Sequence, residues 1–177
     1  MRLFTAIELT PEIRESIRKL YPEVASPAMS MAKPEAIHIT LRFIGEVREK
    51  KLGELESALA GVKLAPFTLK FKGVGVFPNL KFIRVIWVGC ESEELNKLEH
   101  EIDNAVGKYC DKPSERFSGH VTIARPKGPV KLGDFFDKSK EREFGEMEVK
   151  SFVLKKSLLA PGGAVHSVVK EFKLGAE

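Results

Sequence analysis

The sequence predicts an α+β protein of two similar lobes, and three observations predict it. Strand-like and helix-like stretches follow in the order strand, helix, strand, helix, strand. That order occurs twice, over about residues 2–77 and 82–160, with one strand added at the end. The phrase His, aliphatic, Thr, aliphatic stands at the same point of both copies. Helices between strands also suit parallel crossovers. A duplicated α+β unit explains the repeat at least as well, and periodicity alone leaves both open. Residues 1–177 are expected to form a single domain made of the two lobes.

A strand is expected at about Leu3–Leu9. Thr10-Pro11-Glu12 then reads as an N-cap with proline at the first helical position, opening a helix to about Leu20. Pro22 to Pro34 reads as a loop, Ile37–Phe43 as a strand, and Val47–Ala60 as a helix ended by Gly61. Phe67–Phe77 alternates apolar and polar residues in its first half, as a strand does. The second copy opens with a strand at Phe82–Val88. Ser92 then starts a helix to about Tyr109, with Leu95, Leu98, Ile102, Ala105, Val106 and Tyr109 at helical spacing. Strands follow at His120–Ala124, Met147–Leu159 and Val165–Lys173, and Lys131–Lys138 carries no clear pattern.

The composition, 43% hydrophobic and 31% charged, excludes a disordered or fibrous chain. No stretch approaches the roughly 18 apolar residues needed to cross a bilayer. The opening MRLFTAIELT lacks a small-residue cleavage site and reads as a first strand, so a cytoplasmic protein with no membrane contact is expected. Cys90 and Cys110 lack CxxC spacing and are expected as free thiols in a reducing compartment. The net charge of +4 is mild and the basic residues are scattered, which suits a short phosphodiester better than a long duplex. The chain has no glutamine and three asparagines among many Lys and Glu, a bias found in hyperthermophile proteins.

The chemistry lies in the repeated phrase. Ile37-His38-Ile39-Thr40-Leu41 and Gly119-His120-Val121-Thr122-Ile123 match residue type for residue type from the histidine onward. One His-x-Thr is an ordinary strand fragment. With four histidines and five threonines in the chain, two such coincidences have a chance of roughly 0.5% before the aliphatic match is counted. Strand side chains alternate faces, so His38 and Thr40 point one way and Ile39 and Leu41 the other; the second phrase repeats this. An approximate two-fold axis between the copies brings the polar faces together across a cleft. Phosphodiester cleavage needs one group to activate the attacking oxygen and another to protonate the leaving one. Two histidines supply both without a metal or cofactor. The threonine hydroxyls can donate to phosphate oxygens. Arg42, two residues beyond Thr40, is expected on the same face as a phosphate clamp. Arg125, one residue out of phase with Thr122, reaches the site only if its strand bends. A metal site from His38, His120 and His166 lacks a neighbouring acidic ligand and any HxH or HExxH spacing. His100 reads as a solvated helix residue.

These residues resemble the two-histidine phosphoesterase superfamily, and within it the 2′-5′ RNA ligase family, also called RNA 2′,3′-cyclic phosphodiesterase. RLFTAIEL, HITLRFIGEV, GVGVFPNLKFIRVIWVG, FSGHVTIARPK and LLAPGGAVHSVV carry the likeness along nearly the whole chain. The resemblance implies two lobes, each an antiparallel sheet backed by helices, with the motifs facing across a central cleft. It implies a substrate of RNA ends bearing a 2′,3′-cyclic phosphate, tRNA halves among them, opened to a 2′-phosphomonoester, with 2′-5′ ligation as a related activity. His38 would donate a proton, His120 accept one, and Thr40 and Thr122 hold the phosphate. Gly119 stands where such proteins usually carry proline, His166 where many carry tyrosine, and Met31 near a common aromatic position. Phe77 and Trp87 are expected in the core first. A monomer is expected, since two lobes already close one site. The competing reading is a non-catalytic RNA-end binding module using Arg42, Arg125, Lys127 and Lys156.

Overall fold

The computed structural model describes residues 1–175. Its strands are β1 (Arg2–Glu8), β2 (Met29–Met31), β3 (His38–Glu46), β4 (Phe67–Lys72), β5 (Val74–Asn79), β6 (Phe82–Gly89), β7 (His120–Pro126), β8 (Glu143–Val149), β9 (Ser151–Ala160) and β10 (Gly163–Lys173). Its helices are α1 (Pro11–Arg18), α2 (Tyr21–Val24), α3 (Leu52–Ala60), α4 (Glu93–Val106) and α5 (Gly133–Ser139). Local signals act where expected: the Thr10 hydroxyl accepts from the Ile13 amide with Pro11 behind it, and Ser92 caps α4 at the Leu95 amide.

Every strand pairing is antiparallel, so the parallel crossovers do not form. One sheet runs β10-β9-β1-β3-β7-β6-β5, with β2 beside β7, and β4 and β8 pair separately. Its two halves meet through one residue pair, Ile39 opposite Val121. The last strand of each sequence copy completes the other half: β5 pairs β6, and β9 pairs β1. The sheet halves and the sequence copies therefore do not coincide along the chain.

The expected loop Pro22–Pro34 holds most of α2 and all of β2, and three other expected elements differ in detail. The strand expected at Phe67–Phe77 is two strands, broken at Gly73, whose φ of 77° favours glycine and whose added Cβ would stand 2.7 Å from the Lys140 carbonyl. The strand expected at Met147–Leu159 is likewise β8 and β9. The helix expected from Val47 begins at Leu52, after a single 3₁₀ turn at Glu49–Lys51. The unpatterned stretch near Lys131 holds α5.

Ile39, Leu41, Val121 and Ile123 are buried and share one core with Leu95, Leu98, Ile102 and Val106 of α4. Each such side chain contributes about 1.5–3 kcal/mol through removal from water. A second, small cluster of Phe4, Ala6 and Val153 lies on the motif side of the sheet. Both cysteines are free thiols. Among the described residues no helix is long and apolar enough to cross a membrane.

Candidate active site

The Ile39–Val121 pair sets the geometry. Extending its antiparallel register one residue each way puts His38 against Thr122 and Thr40 against His120. Opposed residues of an antiparallel pair share a face, so the four polar side chains form one group while both aliphatic partners face the core. All four are half-buried. His38 Nδ1 meets the Ala36 carbonyl at 2.9 Å, and His120 Nδ1 meets the Ser118 carbonyl at 2.7 Å. A carbonyl only accepts, so Nδ1 carries the proton in both neutral rings. Each Nε2 is thereby left as the basic nitrogen. That of His38 takes a hydrogen bond from the Thr40 hydroxyl at 3.1 Å.

The two arginines exchange their expected places, because both motif strands carry a bulge. Between β1 and β3 the register jumps from Ala6–Thr40 to Thr5–Arg42. The extra residue reverses the alternation. Arg42 therefore lies on the α4 side, where Nε donates to Asp103 Oδ1 at 2.6 Å and Nη2 to the Lys112 carbonyl at 2.8 Å. The expectation of a phosphate clamp at Arg42 is corrected: it is a buried strut, and Phe43 takes the outer position, 62% exposed. The register of β6 and β7 jumps in the same way, from Trp87–Thr122 to Ile86–Ala124. Ile123 and Ala124 are both buried, and Arg125 emerges exposed on the motif face.

Each imidazole has its own surroundings. His38 packs against Phe4 and His166, with ring centroids at 5.3 and 5.5 Å. His120 packs edge-on against Phe77 at 5.0 Å and near Trp87 at 6.3 Å. Phe77 and Trp87 thus line the site and are not core residues. Gly75 makes room for Trp87, since an added Cβ would stand 2.2 Å from its ring. Gly119 is equally tight: a Cβ there would meet Leu95 at 2.6 Å, so glycine lets the approach to His120 press onto α4. Among the described residues, the buried Trp87 Nε1 and His166 Nδ1 have no partner. His100 is exposed on α4. Among the described residues, no three His, Cys, Asp or Glu side chains gather as metal ligands would.

The model of the LigT like phosphoesterase family matches residues 7–87 and again 88–166, one His-x-Thr phrase in each. The chain belongs to this family. It is 36% identical to an RNA 2′,3′-cyclic phosphodiesterase of Archaeoglobus fulgidus, over 98% of this chain and 100% of the relative. It is 37% identical to one of Methanocaldococcus jannaschii, over 97% and 100%. Among solved structures, TT0787 of Thermus thermophilus superposes with a TM-score of 0.88 at 29% identity, covering 100% of both chains. LigT of E. coli complexed with 3′-AMP gives 0.84 at 26%, covering 99% and 98%.

In this LigT-like phosphoesterase, burial pushes His38 down to about 4; Lys155 and His166 add to the fall, while the Ala36 carbonyl and Glu8 oppose it. Burial also lowers His120, with Arg125 adding to it and the Ser118 carbonyl opposing. His166 is lowered by burial and by Lys155 and Arg2. The surroundings of both motif rings therefore favour the neutral form. Nothing in the sequence marks Lys155, Glu8 or Phe4 as site residues, and Lys156 stands out there instead. Only the pairing of β9 with β1, residues almost 150 apart in sequence, selects Lys155 over its neighbour.

Proposed function

We propose that this protein is an RNA 2′,3′-cyclic phosphodiesterase, opening a terminal cyclic phosphate to a 2′-phosphomonoester with His38 and His120 as its acid–base pair. The observation that carries the reading is the facing of two His-Thr pairs across one residue pair of a duplicated sheet. Membership of the LigT-like phosphoesterases supports it, as do full-length relatives named for this activity.

Water attacks phosphorus opposite the 3′ oxygen. His120 Nε2 takes the proton from the water, the P–O3′ bond breaks, and His38 Nε2 delivers a proton to O3′. Thr40 and Thr122 donate to the non-bridging oxygens, where charge accumulates in the transition state. Arg125, brought to this face by the β7 bulge, offers a cation at the rim. Because burial favours neutral His38, the ring takes its proton from solvent when the negative charge of the substrate favours the imidazolium. With the 5′-hydroxyl of a second RNA in place of water, the same steps form a 2′-5′ phosphodiester as the P–O3′ bond breaks and O3′ takes the proton. The reading includes RNA ends as partner and a monomer in the cytoplasm. One chain supplying both motifs and two free thiols support those last two parts.

The test is turnover of a short RNA ending in a 2′,3′-cyclic phosphate, with EDTA present and the product identified. A 2′-phosphate product from the wild type, lost in His38→Ala and His120→Ala, is the expected result. Salt-sensitive binding with no product would replace this reading with an RNA-end binding module. Turnover within a few-fold in both variants would remove the acid–base assignment.

A further inference from the structure

Lys155 is a lysine with 8% of its side chain exposed, and a buried ammonium persists only when paired. Glu8 supplies the pair: one carboxylate oxygen takes Lys155 Nζ, and the other takes Arg14 Nη2 at 2.7 Å. Glu8 lies opposite His38 on one flank of β1, whereas Lys155 starts opposite Phe4 on the other. To reach Glu8 the lysine runs along the sheet past Ala6, whose single methyl leaves the space. The cation is therefore fixed to the carboxylate of the residue that faces His38 across β1 and β3.

The His120 half lacks this cation. Ala6 opposes Thr40 as Trp87 opposes Thr122, and Val153 opposes Ala6 as Gly75 opposes Trp87. Two residues further along, Lys155 corresponds to Phe77. The position that holds an ion-paired lysine in the His38 half thus holds an aromatic ring in the His120 half. The charged and titratable groups around His38 are Glu8 and Arg2 of β1, Arg14 of α1, Lys155 of β9, His166 of β10 and His120 of β7.

We propose that Lys155 is a positioning residue that makes His38 a phosphate-gated proton site. Burial favours the neutral imidazole, and the Lys155 ammonium adds to that preference. An anionic phosphate against His38 offsets that charge and draws a solvent proton onto Nε2. A proton so weakly held is then readily passed to the leaving oxygen. This inference rests on the role given to His38 above and explains how a ring neutral in the empty enzyme comes to act as a donor.

The experiment is a pH titration of the His38 ring nitrogens by NMR, with and without sulfate as the anionic probe, in the wild type, Lys155→Met, Lys155→Gln and Lys155→Arg. Sulfate should raise the wild-type midpoint. Lys155→Met should raise it by about one pH unit without sulfate, and Lys155→Arg should hold it near the wild-type value. Lys155→Gln is neutral but keeps a polar donor in the buried position, so its midpoint decides the question if the methionine variant does not fold. A midpoint unmoved in the folded neutral variants, or unmoved by sulfate at saturation, overturns the proposal. The titration needs no turnover, so a wild type inactive on cyclic-phosphate RNA overturns the function while the role of Lys155 is still decided.

Discussion

The His38 half and the His120 half of the site share a motif and differ in almost everything that touches it. Both strands present His and Thr on one face, both rings donate Nδ1–H to the carbonyl two residues back, and both strands bulge after the threonine. Around that common frame, the first half has a paired lysine, a third histidine and an outer Phe43. The second has Trp87, Phe77 and an outer Arg125. Duplication sets the positions of the two His-Thr pairs, which symmetry alone makes equivalent. In the proposed mechanism acid and base must differ, so the neighbouring residues carry the distinction.

The largest effect expected is loss of either imidazole. His38→Ala and His120→Ala should each lower kcat by about 10²–10⁴-fold, with circular dichroism unchanged. Unequal losses would measure how far the halves have diverged.

The arginines give a sharper contrast. Arg42→Ala removes one partner of a largely buried ion pair with Asp103 and should cost about 3 kcal/mol of stability, seen as a lower Tm with kcat of the folded enzyme retained. Arg125→Ala should leave Tm in place, raise KM about tenfold and flatten its salt dependence. The reverse pattern would mean that the bulges do not set the two faces.

Gly75→Ala places a methyl where the Trp87 ring lies and should cost about 1–3 kcal/mol with a lowered kcat. The matching position in the other half, Val153, already carries a side chain because Ala6 is small. Val153→Ala should therefore lower Tm and leave kcat nearer the wild-type value. Equal kcat losses at both would show that the rings around His120 do not position it.

The last contrast concerns stability against pH. Burial pushes His38 down to about 4 in the folded protein, against 6.5 for the free side chain. The folded protein then binds fewer protons in that interval, and stability falls as pH drops through it. Melting curves should show this slope, reduced in a folded His38→Ala variant.

Much of the site was legible because its signals are local. Two His-x-Thr phrases with aliphatic alternation specify which side chains share a face, and Thr10, Pro11 and Ser92 mark helix starts wherever they occur. Arg42 was misplaced because a bulge is a property of two paired strands, and periodicity carried through it predicts the wrong face. Phe77 and Trp87 read as core residues because a half-buried aromatic has no sequence signal apart from hydrophobicity.

The sequence by itself determined the motif pair, its aliphatic alternation and the duplicated order of elements, all encoded by residues within a few positions of one another. Tertiary structure alone decided which strands exchange between halves, which arginine meets the cleft, and that Lys155 lies beside His38. These depend on registers between distant segments, where a shift of one residue sends a side chain to the opposite face.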